Sequence, residues 1–272
     1  MPTAKINGVE IHYEVAGEGP PVVWLHGLGG SIAQERTEGG GIDGLARRGF
    51  RLIMYDARGH GTSGFTEDEA DYTWEAHARD MQELLDHLGI GRATVGGGSM
   101  GAGVSITLAL AHPERVDRLV LVSLPPLADE FEPVRQLFRG FASLIESLGL
   151  VRAVEVALQL PQYIEMKEGQ PEEYERLRQQ LLSLQPRGAI FARRGIVERP
   201  WPGDRLGEIT APTLIVAHPD DPLHPLSSAE KARNAIAGSR VITAPSMMYY
   251  RDHRGELAEA VAEFLRGDGG AK

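Results

Sequence analysis

The most constraining feature of this chain is a set of short, continuous apolar runs at 22–25, 52–55, 93–95, 119–122, 213–216 and 241–243. A strand covered on both faces reads this way, because neither side needs polar residues. Between most of the runs the apolar period changes to that of a helix. Residues 74–88 place Trp74, Ala78, Met81, Leu84, Leu85 and Leu88 on one face. Residues 100–112 are small and apolar throughout, as in a buried helix, while 227–237 and 255–266 are amphipathic. Leu257, Val261, Phe264 and Leu265 form the last apolar stripe. Strands alternating with helices predict an α/β fold: a mostly parallel sheet of about eight strands flanked by helices. At the start, Asn7-Gly8 signals a tight hairpin turn. The alternation of Val9, Ile11, Tyr13 and Val15 after it adds antiparallel strands at one edge.

One stretch breaks the rhythm. Residues 126–206 carry helical patterns at 132–148, 151–160 and 171–184, punctuated by Pro161, Pro171, Pro186, Pro200 and Pro202, with no strand pattern. That is too long for a structureless loop inside a compact domain. The expected organisation is a core of 1–125 and 207–272 with a helical cap inserted at 126–206.

Composition removes several function classes. The chain has 272 residues and no cysteine, which excludes disulfides, thiolate metal sites and cysteine nucleophiles. Its formal charge of −10, with no basic patch, argues against nucleic acid and anionic membranes as partners. No apolar run approaches the length of a membrane span. The N-terminus lacks a charged-then-apolar signal pattern, so a cytoplasmic location is expected. The end of the chain, 267–272, reads as a frayed tail.

Three segments that follow buried strands carry chemistry, and ligands of open α/β sheets bind outside the carboxyl ends of the strands. Gly97-Gly98-Ser99-Met100-Gly101 lies between a strand and a helix. A sharp turn there lifts the serine oxygen clear of the backbone and requires small residues two positions either side. His26-Gly27-Leu28-Gly29-Gly30 can turn backbone N–H groups toward that serine, and the amides of Leu28 and Met100 are the candidate oxyanion donors. The third segment, 217–225, holds Asp220, Asp221 and His224, and an acid here can orient an imidazole.

In this order of parts the chain resembles the α/β-hydrolase superfamily over residues 8–266. The stretch Asp56-Ala57-Arg58-Gly59-His60-Gly61-Thr62-Ser63 is typical of that family. The resemblance implies Ser99 as nucleophile, and it implies Asp221 rather than Asp220 as the acid, four residues before Pro225. It also supports Leu28 and Met100 as oxyanion donors, and gives His60 a structural role. The implied activity is cleavage of a carboxylic ester or a related acyl bond (amide, carbamate, lactone) through an acyl-enzyme. No cofactor and no metal are implied, and the substrate is a small molecule. Apolar residues of the cap (Phe131, Leu137, Phe138, Phe141, Leu144, Phe191, Trp201) suggest a hydrophobic acyl or alcohol group.

The chain departs from the family at the base. The family carries a histidine just after the last strand, but here the corresponding positions, Met247 to Tyr249, hold none. The nearest substitute is His253, several residues further on, and the expected triad is therefore Ser99, Asp221 and His253. His224, close to Asp221, is the second candidate. If no imidazole reaches Ser99, two other classes come forward: a lyase or decarboxylase-like enzyme on the same fold, or a small-molecule-binding protein without turnover.

Overall fold

The computed structural model describes residues 2–38, 41–127, 130–219, 221, 223–246 and 248–267. The tail after Gly267, Asp220 and Met247 lie outside the described residues.

The elements run β1 (Thr3–Ile6), β2 (Val9–Ala16), β3 (Pro21–Leu25), α1 (Ile32–Glu38), β4 (Arg51–Tyr55), α2 (Trp74–His87), β5 (Ala93–Gly98), α3 (Met100–Ala111) and β6 (Val116–Val122). After β6 come α4 (Phe131–Leu148), α5 (Leu150–Ala157), α6 (Pro161–Gly169), α7 (Pro171–Leu182) and α8 (Pro186–Ile196). The chain then completes the sheet through β7 (Thr213–Ala217), α9 (Leu226–Ala235), β8 (Arg240–Thr243), α10 (Tyr249–Asp252) and α11 (Glu256–Arg266).

The eight strands form one sheet in the order β1-β2-β4-β3-β5-β6-β7-β8. As the alternation predicts, it is mostly parallel; β1–β2 and β2–β4 are the antiparallel pairs. The hairpin turns on Asn7 at φ 45° and Gly8 at φ 85°, with Ile6 paired to Val9. Two successive residues with positive φ give the turn whose twist matches the flanking strands.

Successive strand residues point to opposite faces, so each buried strand feeds two cores. Val23 and Leu25 of β3 face a core completed by Met81 and Leu84 of α2 and Ile106 of α3. Val22 and Trp24 face the other, against Leu257, Val261 and Phe264 of α11. This two-sided covering is why the strands carry no polar alternation.

Between β6 and β7 the described residues form helices and no strand. Three of the five prolines that punctuate the sequence here begin helices: Pro161, Pro171 and Pro186 are the first residues of α6, α7 and α8. Proline suits that position because its fixed φ is helical and its missing N–H would have had no partner. Reading Pro161 and Pro186 only as breaks hides α6 and α8. Helices α4, α5 and α8 pack through Ile145, Ala153 and Ala189. No helix among the described residues is long and apolar enough to cross a membrane.

Candidate active site

Ser99 sits between β5 and α3 with φ 51° and ψ −108°, a conformation that L-residues rarely adopt. Strain of this kind costs about 1–3 kcal/mol and persists only where the surroundings impose it. Here they do. The Ser99 amide donates to the Val122 carbonyl at 2.9 Å, and the Ser99 carbonyl accepts from the Gly103 amide at 3.1 Å. A Cβ on either Gly97 or Gly101 would collide with the Leu25 carbonyl oxygen. The turn can therefore tuck against β3 only with glycine on both sides of the serine.

The Ser99 Oγ lies 2.8 Å from Nε2 of His224, and Nδ1 of His224 lies 2.6 Å from Oδ2 of Asp221. Both partners come from one turn between β7 and α9, three residues apart. The Asp221 carboxylate can only accept, so the imidazole donates from Nδ1 and presents the lone pair of Nε2 to the serine hydroxyl. The second carboxylate oxygen accepts from the Leu223 amide at 2.9 Å, which fixes the carboxylate plane. Burial alone would raise the Asp221 carboxyl. The hydrogen bond and charge of His224 and the bond from Leu223 outweigh it together and hold the group below the usual carboxylate range.

The structure corrects the expectation for His253. Its ring is exposed and stacks on Tyr249, with centroids 4.3 Å apart, and its Nδ1 is 2.9 Å from the Tyr249 carbonyl. It closes α10 just before α11, and its ring is engaged with Tyr249 of that short helical turn. The imidazole that meets Ser99 is the second candidate, His224. The sequence signal for it is the Asp-x-x-His spacing in a turn after a buried strand, which brings the two side chains of one turn together. His218, at the end of β7, shares a 2.9 Å hydrogen bond with Ser123 and lies 3.6 Å from Asp221.

Of the two candidate oxyanion donors, Leu28 lines the same cavity as Ser99, and Met100 follows Ser99 directly in the chain. A Cβ on Gly27 would lie 3.5 Å from that of Ser99, so the 26–30 loop packs directly on the elbow. Met100 is the first residue of α3, and the first amides of a helix have no partner within it. His26 anchors the loop: Nε2 accepts from the Ala57 amide at 3.1 Å, so Nδ1 donates to the Gly27 carbonyl at 2.7 Å. Burial holds its pKa below the ordinary histidine value and keeps it neutral for both bonds.

The 56–63 segment braces this loop. Asp56 accepts from the amides of Ile32 and Thr62, each at 2.8 Å. Arg58 makes two 2.6 Å hydrogen bonds to Asp80 of α2, both side chains buried. His60 is buried, 2.9 Å from the Arg58 carbonyl through Nδ1, and packs on His26 with ring centroids 5.1 Å apart.

A cavity of about 330 Å³ opens on Ser99 and His224. Its walls include Gly27 and Leu28 on the sheet side, with Leu137, Phe138, Phe141 and Leu181 from the helices between β6 and β7. Of the apolar residues expected to form the pocket, Leu137, Phe138 and Phe141 line it. Phe131 and Trp201 are buried in packing instead, the latter with its indole N–H on the Pro126 carbonyl at 2.8 Å, and Phe191 stacks on Tyr72.

Residues 20–246 match the family model described as alpha/beta hydrolase fold. A putative carbamate hydrolase of Azorhizobium caulinodans is 31% identical over 245 residues, covering 89% of this chain and 88% of the relative. The 2-hydroxy-6-oxo-6-phenylhexa-2,4-dienoate hydrolase of Comamonas testosteroni is 29% identical, covering 85% of this chain and 82% of the relative. Among solved structures, a thermophilic esterase from Thermogutta terrifontis superposes with a TM-score of 0.78 at 27% identity, covering 97% of this chain and 96% of its own. With its mixed eight-stranded sheet and its serine on a strand–helix elbow, this chain belongs to the alpha/beta hydrolase fold family.

Proposed function

We propose that the chain is a serine hydrolase that cleaves a carboxylic ester or related acyl bond, with Ser99 as nucleophile, His224 as general base and Asp221 as its orienting acid. The observation that carries this reading is the continuous chain of hydrogen bonds from Ser99 Oγ through His224 to Asp221. A serine hydroxyl is a weak nucleophile until a neighbour takes its proton, and Nε2 is placed and oriented to do so. The Oγ attacks the carbonyl carbon while its proton passes to Nε2. The amides of Leu28 and Met100 hold the resulting oxyanion, helped by the N-terminal end of α3. The imidazolium, stabilised by Asp221, gives its proton to the leaving group. Water, deprotonated in turn by His224, then releases the acid.

The segment 126–206 acts as a cap in this reading, and its helices α4–α8 supply the wall of the cavity above Ser99. The apolar lining suits a small substrate with a hydrophobic portion. The names of the relatives span a carbamate hydrolase, a hydrolase of a phenyl-substituted oxo-dienoate and an esterase, which supports a hydrolase of small carbonyl compounds. An imidazole within hydrogen-bond reach of Ser99 removes the reason to favour a lyase or a binding protein without turnover.

A fluorophosphonate probe tests the assignment. Wild-type protein labels at Ser99, and His224→Ala slows labelling by about three orders of magnitude, as expected when the base of a triad is removed. His253→Ala labels at the wild-type rate. Rapid labelling of the His224 variant together with loss in the His253 variant would overturn the assignment of the base.

A further inference from the structure

Arg193 of α8 lines the same cavity as Ser99 and His224, and its bonding is incomplete. The residue is 3% exposed. Its Nε is buried without a hydrogen-bond partner, and Nη1 reaches only the Ala189 carbonyl, at 3.4 Å. No carboxylate pairs with it among the described residues. Its neighbours on the helix behave differently: Arg187 pairs with Glu67, and Arg194 with Glu146 and Glu69. Burial pulls the Arg193 guanidinium down to about 10, which leaves it cationic at neutral pH. A buried cation without a counter-charge is costly, and the face of Phe141, 5.3 Å from Cζ, offsets part of that cost only.

The position of the guanidinium is specific. A Cβ at Gly29 would lie 2.8 Å from Nη2, so the group packs on the residue next to Leu28. Gly29 has φ 78°, and its missing side chain makes the space that the guanidinium fills. Arg193 thus stands beside the loop that would receive the carbonyl oxygen. Among the described residues no hydrogen bond ties it to the Asp221–His224 turn, the side on which the leaving group takes its proton.

We propose that Arg193 binds a carboxylate on the acyl half of the substrate, so that the preferred substrates are short acyl compounds whose acid portion carries a second, ionised carboxylate. A guanidinium offers parallel N–H groups that match two carboxylate oxygens, and an apolar wall strengthens that pairing by excluding water. Binding would supply the counter-charge that the protein itself withholds. The apolar residues Leu137, Phe138 and Phe141 then hold the methylenes between the two carbonyl carbons. This inference rests on the serine-hydrolase reading above.

The test compares p-nitrophenyl hydrogen glutarate, which ends in a carboxylate, with p-nitrophenyl valerate, which ends in a methyl. The wild-type protein is expected to favour the glutarate in kcat/KM by at least about tenfold, equivalent to roughly 1.4 kcal/mol. In Arg193→Met that ratio falls to near one or below, chiefly through a higher KM for the anionic ester, and Arg193→Lys recovers part of it. Calorimetry with free glutarate supplies a readout that needs no turnover: wild type binds, and Arg193→Met, shown to be folded by its melting curve, does not. A wild-type preference for valerate, a ratio unchanged in Arg193→Met, or no glutarate binding by wild type would each overturn the inference. Fluorophosphonate labelling separates the two readings. Labelling of Ser99 without any anion preference leaves the hydrolase standing and removes the carboxylate site. Glutarate binding that depends on Arg193 in a protein that does not label does the reverse.

Discussion

The tautomer of His224 is set by Asp221, and that gives the sharpest single-residue expectation. Oδ1 of Asp221 accepts from the Leu223 amide while Oδ2 accepts from His224. In Asp221→Asn the amide oxygen stays on the Leu223 N–H, because an NH₂ cannot accept there. The NH₂ then faces Nδ1, which must accept, and the proton moves to Nε2. Nε2–H points at Ser99 and can no longer take its proton. Asp221→Asn is therefore expected to retain the fold and lose about three to four orders of magnitude in kcat on an activated ester. Near-wild-type turnover in that variant would show that the acid lies elsewhere. At this scale the sequence was readable in part. Ser99 and the glycines around it are legible because a strained elbow admits few residue types. The base was harder to place, since His224 and His253 are both histidines near the site in sequence. What separates them is folding: one stands in a four-residue turn that closes on itself, the other caps a short helical turn and stacks on Tyr249 within it.

At the scale of elements, the site depends on how closely β5, α3 and β3 approach. Gly101, the second residue of α3, lies against the Leu25 carbonyl with no room for a Cβ. Gly101→Ala must push α3 off the sheet, and overpacking of this type costs about 1–3 kcal/mol. The displacement acts directly on Met100 and Ser99, so labelling of Ser99 should slow by more than the loss of stability accounts for. Denaturant unfolding and labelling rates on the same preparation check both halves, and a variant with full stability and full labelling would refute the close-approach argument. The sheet was legible in the sequence because strands buried on both faces carry a continuous apolar signal. The helices between β6 and β7 were less so. Their apolar faces are narrow, α6 and α7 have no side chain buried among their described residues, and proline marks their starts as readily as it marks a break.

For the molecule as a whole, acid sensitivity follows from three buried imidazoles, two in the loops beside the site and one in α2. His26, His60 and His77 are all buried. Burial lowers the first two and brings His77 to about 3, and neither ring nitrogen of His77 has a partner. Each is neutral when folded and protonates near 6.5 once unfolded. The unfolded state thus binds more protons below that pH, and stability rises with pH and falls as pH drops from about 6.5 toward the folded values. Each imidazole adds roughly 1.4 kcal/mol per pH unit to that slope while it stays neutral in the fold. His77→Phe, which keeps a ring beside Tyr72, should flatten the slope between pH 6 and 4 by about that amount, measured by denaturant unfolding. An unchanged slope would mean that His77 does not contribute. A separate consequence follows from the turn that holds Asp221 and His224 together. Two groups carried three residues apart ride the same backbone, so thermal motion of the turn moves both and leaves their separation nearly intact. The looseness of the whole constellation is then concentrated in one gap, the one between Nε2 and the serine oxygen, and warming should uncouple Ser99 from an otherwise unbroken Asp221–His224 pair.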